Sequence, residues 1–129
     1  MAYWPFFSII SEPSIVHNFK KKGFEERRKE SMKIMAKYPQ SIPCICEKSN
    51  DTNINIENKK FLVPKDMQFA QFICIIRNKA KLKPEQAVFL FINKGMIPNG
   101  ISTFSELYTQ YKDNDGFLYI TYTDEKTFG

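Results

Sequence analysis

The sequence predicts an α+β fold built on a four-stranded sheet. Four short runs rich in β-branched and aromatic residues lie at 42–47, 59–64, 88–92 and 117–122. Helical patterns occupy 19–38, the stretch after Asp66 and the stretch after Ser102-Thr103. The order is therefore helical segment, strand, strand, helix, strand, helix, strand, with no internal repeat or low-complexity tract. At 129 residues the chain most simply forms one domain, with a hydrophobic share of 43%. Its 12 Phe and 6 Tyr predict a core of packed rings.

Each element has a local reason. From 19 to 38, Phe24, Arg27, Arg28, Ser31, Ile34 and Met35 recur near helical steps, with Glu25, Glu26 and Glu30 among the bases. Gly23 breaks this run, and Pro39 stops it at Tyr38 because the residue before proline disfavours the helical region. In Ile42-Pro43-Cys44-Ile45-Cys46-Glu47, strand alternation puts Ile42, Cys44 and Cys46 on one face and Pro43, Ile45 and Glu47 on the other. A polar loop follows. Asp66 is the expected N-cap of a helix whose apolar stripe is Phe69, Phe72, Ile73, Ile76 and Ala80. Val88-Phe89-Leu90-Phe91-Ile92 reads as a strand buried on both faces. Ser102-Thr103 caps a helix holding Phe104, Leu107, Tyr108 and Tyr111, and the turn 113–116 leads into the last strand. Two hairpin strands, a helix and further strands make the β-grasp order.

The stretch Lys59-Lys60-Phe61-Leu62-Val63-Pro64 organises the functional reading. Proline cannot donate to a ladder and lysines discourage unwanted pairing, so this run suits a sheet edge. Such an edge can take an extended peptide as an added strand, with pockets for its side chains.

The net charge of +5 is uneven: residues 1–37 hold eight Lys/Arg against four Glu, and the remainder eleven against ten. This basic N-terminal region is either a solvated helix face or an attraction for an acidic partner or anionic membrane. Cys44, Cys46 and Cys74 are odd in number and lack metal-site spacing, which fits reduced thiols in a cytosolic protein and no metal centre. No run approaches the length of a transmembrane helix, and the apolar opening of the chain makes a poor signal peptide. An enzyme is not expected. His17 has no evident catalytic partner, and neither a phosphate-binding glycine loop nor a cofactor motif occurs. Nucleic-acid binding is not expected either, since the basic cluster lacks interleaved exposed aromatics.

From about Phe24 to Gly129 the chain resembles the autophagy-related protein 8 family, which includes GABARAP and the microtubule light-chain-3 proteins. The resemblance is carried by Phe24-Glu25-Glu26-Arg27-Arg28, Lys37-Tyr38-Pro39, Ile42-Pro43, Glu47-Lys48 and the 59–64 run. It continues through Gln71-Phe72, Ile76-Arg77, 89–93, Leu107-Tyr108-Thr109-Gln110-Tyr111, 115–122 and the closing Thr127-Phe128-Gly129. It implies a ubiquitin-like fold with two extra N-terminal helices, over a domain with an N-terminal helical segment and a C-terminal conjugation tail (19–129). Residues 1–18 read as separate from that domain, an N-terminal arm expected to be flexible. The resemblance implies a modifier joined through Gly129 to phosphatidylethanolamine on autophagosomal or related membranes, cytoplasmic until lipidated. The implied partners are activating and conjugating enzymes, a deconjugating cysteine protease, and receptors or adaptors bearing an aromatic-x-x-aliphatic motif.

Carried over by position, the aromatic pocket would be lined by Glu30, Ile34, Pro43, Ile45, Lys60, Leu62 and Phe117. The aliphatic pocket would be lined by Phe61, Val63, Pro64, Met67, Phe72, Ile75 and Ile76, with Arg77 meeting acidic residues beside the motif. The competing reading of these apolar positions is plain core. Ser41 and Asn58 stand where many relatives carry a base, so any preference for acidic flanks is expected to differ here. The arm departs from the family, and Phe6-Phe7-Ser8-Ile9 and Phe7-Ser8-Ile9-Ile10 both have the motif's form. It could occupy the groove of its own molecule or of a neighbour, a route to self-association, or be an unstructured or membrane-touching segment. The alternative to the modifier is a non-conjugated module that binds peptides, microtubules or membrane receptors through the same groove and basic helices.

Overall fold

Proline decides where the first long helix stops. In the computed structural model, which describes residues 2–3, 19–50, 52–93 and 95–124, α1 (Phe24–Lys37) ends at Tyr38, just before Pro39. The break at Gly23 is also present: a single 3-10 turn, Phe19–Lys21, precedes it, and Gly23 caps α1 in an extended conformation. The two expected N-terminal helices are thus one turn and one full helix.

Then follow β2 (Ser41–Lys48), β3 (Lys60–Pro64), α2 (Phe69–Lys79), β4 (Val88–Ile92), α3 (Phe104–Tyr111) and β5 (Leu118–Asp124). The sheet places β2 at its centre. β2 pairs antiparallel with β3, Pro43 opposite Leu62, and parallel with β5, Cys44 opposite Leu118. β4 lies antiparallel on the far side of β5. This mixed sheet is the β-grasp arrangement. A fifth, very short strand, β1 (Ala2–Tyr3), extends it beyond β3, so the order is β1-β3-β2-β5-β4 and β3, expected at the edge, is covered there by a two-residue pairing at Phe61 and Leu62.

The alternation expected for β2 divides the core in two. Ile42, Cys44 and Cys46 join Phe61, Val63, Leu118 and Ile120 under α2 and α3. On the opposite face Ile45, Leu62 and Phe117 meet Ile34 of α1 and Phe19 of the 3-10 turn. Phe72 is the hub of the first cluster: its ring stands edge-on to Phe61 at 5.6 Å and to Phe104 at 5.2 Å.

Two local expectations need correction. Asp66 is exposed and does not cap α2. The N-cap is Gln68, whose N–H donates to Gln71 Oε1 at 2.9 Å. β4 is buried on one face only, because the cluster under α1 includes no residue of β4: Val88, Leu90 and Ile92 are buried in the larger cluster while Phe89 and Phe91 are half-buried. For α3 the expected cap is in place, with the Glu106 N–H donating to Thr103 Oγ1 and the Thr103 N–H donating to Glu106 Oε1.

Cys44 and Cys46 are sealed in the larger cluster and Cys74 is exposed. Burial pushes both inner thiols well above the ordinary range, which suppresses the reactive thiolate. A thiol-specific chromophoric reagent at neutral pH is therefore expected to titrate one fast cysteine in the folded protein, Cys74, and all three after denaturation. Rapid labelling of Cys44 or Cys46 in the native state would contradict this packing. Among the described residues, no helix is long and apolar enough to cross a membrane.

Candidate functional site

The site is a consequence of how α1 is locked over the sheet. Arg27 Nη1 donates to Asp115 Oδ2 at 2.5 Å, and its Nε donates to the carbonyl oxygen of Lys22 at 3.0 Å. Asp115 is fully buried and accepts two further bonds, from the Tyr119 hydroxyl at 2.5 Å and from the Phe117 N–H at 2.9 Å. The Ser31 hydroxyl donates to the Asp115 carbonyl oxygen. Burial and the hydrogen bond to Asp115 push the Tyr119 hydroxyl above its ordinary range, keeping it a donor. Next in the chain, Gly116 adopts φ +93, and a Cβ there would meet the Ser31 hydroxyl, so glycine permits both the turn and the close approach of α1.

This lock brings most of the expected aromatic-pocket residues together. Ile34, Ile45, Leu62 and Phe117 form one cluster on the α1 face, and Pro43 is buried opposite Leu62. At the rim, Glu30 lies between two cations, Lys22 Nζ at 3.5 Å and Lys60 Nζ at 3.4 Å. Among the described residues Glu30 Oε2 accepts no hydrogen bond, although it is buried. Sequence reasoning missed Phe19, which sits inside this set. It is 3% exposed, edge-on to Phe117 at 5.2 Å, with Lys60 Nζ 5.3 Å from its ring centre and its N–H donating to Glu47 Oε2 at 2.6 Å. The only signal was an aromatic directly before three lysines.

The expected aliphatic-pocket residues separate into two kinds. Phe61, Val63, Phe72 and Ile76 are fully buried in the main core. Pro64, Met67 and Ile75 are half-buried and form the accessible fringe. Arg77 turns toward the loop after α2, donating from Nη1 to the Gln86 carbonyl oxygen and from Nη2 to the Lys83 carbonyl oxygen. Gly129 and the two motif-like tetrads of the arm lie outside the described residues.

The geometry of β3 ties the two sets to one strand. Lys60 and Leu62 face α1, while Phe61 and Val63 face α2. In comparisons with known proteins, residues 26–129 match the family described as "Autophagy protein Atg8 ubiquitin like". The chain belongs to that family. It is 48% identical to Autophagy-related protein 8 of Schizosaccharomyces pombe over 83% of this chain and 88% of the relative. It is 46% identical to the protein of the same name from Mycosarcoma maydis, over 83% of this chain and 91% of the relative. The crystal structure of Trypanosoma brucei ATG8 superposes with a TM-score of 0.75 at 33% identity, covering 84% of this chain and 96% of that one. Membership of the Atg8 family places the chain among the ubiquitin-like modifiers of autophagy, and the β-grasp sheet is the family's fold.

Proposed function

We propose that this protein is a ubiquitin-like modifier joined through the carboxyl group of Gly129 to the amine of phosphatidylethanolamine, and that β3 docks the receptors and adaptors it recruits. One observation carries the docking part: β3 separates an α1-side cluster from an α2-side fringe. An extended peptide laid along β3 on the side where β1 pairs turns successive side chains to opposite faces. Residues three apart therefore point to different sides, about 10 Å apart along the strand. An aromatic-x-x-aliphatic peptide fits that division, its aromatic toward Ile34, Ile45, Leu62 and Phe117 and its aliphatic toward Pro64, Met67 and Ile75. Glu30 Oε2 supplies a buried acceptor for an N–H donor at the aromatic position. Lys60, with the remaining donors of Arg77, offers positive charge to acidic flanks.

Conjugation needs the Gly129 carboxylate to be activated as an acyl adenylate by ATP, then passed to an enzyme cysteine as a thioester. The lipid amine attacks that thioester, an amide bond forms and the thiol leaves. The catalytic groups belong to the activating and conjugating enzymes, and a cysteine protease would reverse the step. The protein is then cytoplasmic until lipidated and membrane-associated afterwards.

The docking half is tested by titrating a labelled Trp-x-x-Leu peptide with acidic residues ahead of the tryptophan. Ile75→Asp should weaken its binding about tenfold or more by removing one apolar contact. Unchanged thermal stability would show that the fold is intact. Equal affinity for the two proteins would contradict the assignment of the fringe.

A further inference from the structure

We infer that the chain's own N-terminal residues are a tethered competitor for the docking edge. This rests on the docking reading of β3 and names how that site is regulated. Ala2 lies opposite Leu62 and Tyr3 opposite Phe61, antiparallel, on the side of β3 away from β2. The main-chain groups on that side are those an incoming peptide strand would use. A strand presents one row of outward N–H and C=O groups, so two strands cannot hold it together.

The same N-terminal stretch supplies a second component. Phe19 is packed with Ile34, Ile45, Leu62 and Phe117, and its ring lies under Lys60. A docked motif brings an added strand and an aromatic ring. Here Ala2–Tyr3 provides the strand and Phe19 the ring, both from within the chain. Their shortness makes the occupant displaceable. A two-residue pairing offers few ladder bonds, and isolated short ribbons are marginal in water. Covalent attachment compensates, since it makes the pairing intramolecular and raises the strand's effective concentration at β3. The balance sets a threshold: a receptor peptide must outcompete the arm, and its apparent affinity falls by the fraction of time the edge is free. Chains occupied nine-tenths of the time would bind about tenfold more weakly than open ones.

The full chain is compared with the Ala2→Pro/Tyr3→Pro double variant, which removes two backbone donors from β1 without touching the folded domain. Two readouts are taken: amide hydrogen exchange at residues 60–62 without peptide, and anisotropy with the labelled Trp-x-x-Leu peptide. The double variant should exchange faster at these amides and bind the peptide about three- to tenfold tighter. Phe19→Ala, checked for retained fold by circular dichroism, should also bind more tightly. Equal affinity of the full chain and the proline variant, or unchanged exchange, would overturn the competition. Weaker binding by folded Phe19→Ala would make Phe19 a wall of the site and overturn its part. A peptide that binds none of these proteins would overturn the docking reading itself, and the exchange data would still report whether β1 forms.

Discussion

Asp115→Ala is expected to lower the stability of the folded chain by about 3–5 kcal/mol. The substitution leaves the Arg27 guanidinium, whose side chain is 11% exposed, beside the empty space of its fully buried partner. It also strips the Phe117 N–H and the Tyr119 hydroxyl of their acceptor. Removing one partner of a buried pair is far worse than never having had the pair, because the remaining charge stays desolvated. For a domain of this size the loss corresponds to a fall in Tm of roughly 12–20 °C. The exposed pair between Lys20 and Asp113 is the internal control, since its side chains are 46% and 27% exposed. Lys20→Ala should change stability by less than about 1 kcal/mol. Chemical denaturation of the two variants would decide, and a similar small loss for both would refute the locking role of Asp115.

Phe72→Ala should cost a comparable amount, about 3–5 kcal/mol, by a different mechanism. Its ring is fully buried between Phe61 on β3 and Phe104 on α3, with Ile76 one turn further along α2. Truncation leaves a cavity whose walls come from a strand and two helices, which cannot collapse together. Phe72→Leu, which keeps most of the volume, should lose distinctly less. Equal losses for alanine and leucine would show that the edge-on ring geometry, rather than filled volume, carries the contribution.

Much of this architecture is legible in the residues, for reasons that differ by element. The two faces of β2 follow from strict alternation, and the stop at Tyr38 follows from Pro39. The cap at Thr103 follows from a Thr three residues before a Glu. What stayed hidden lacks a local signature. Two residues, Ala2 and Tyr3, cannot show a strand period, so β1 could not be read. Gln68 is a weak capping type beside the stronger Asp66, and only the tertiary path of the chain selects it. β4 has phenylalanines on its open face as well, so its hydrophobic run masks an edge position.

The candidate site was named chiefly through family resemblance. The residue types alone suggested core, and Phe61, Val63, Phe72 and Ile76 are indeed core. Exposure of Pro64, Met67 and Ile75, the turn-facing guanidinium of Arg77 and the seat of Phe19 depend on long-range packing that periodicity does not encode.

The most direct test of the central claim is reconstitution with matching activating and conjugating enzymes, ATP and liposomes containing phosphatidylethanolamine, followed by intact-mass spectrometry. The conjugation reading predicts a mass gain of one lipid, dependent on ATP and abolished in Gly129→Ala. An active enzyme set that leaves the mass unchanged, or a gain that survives Gly129→Ala, would contradict it.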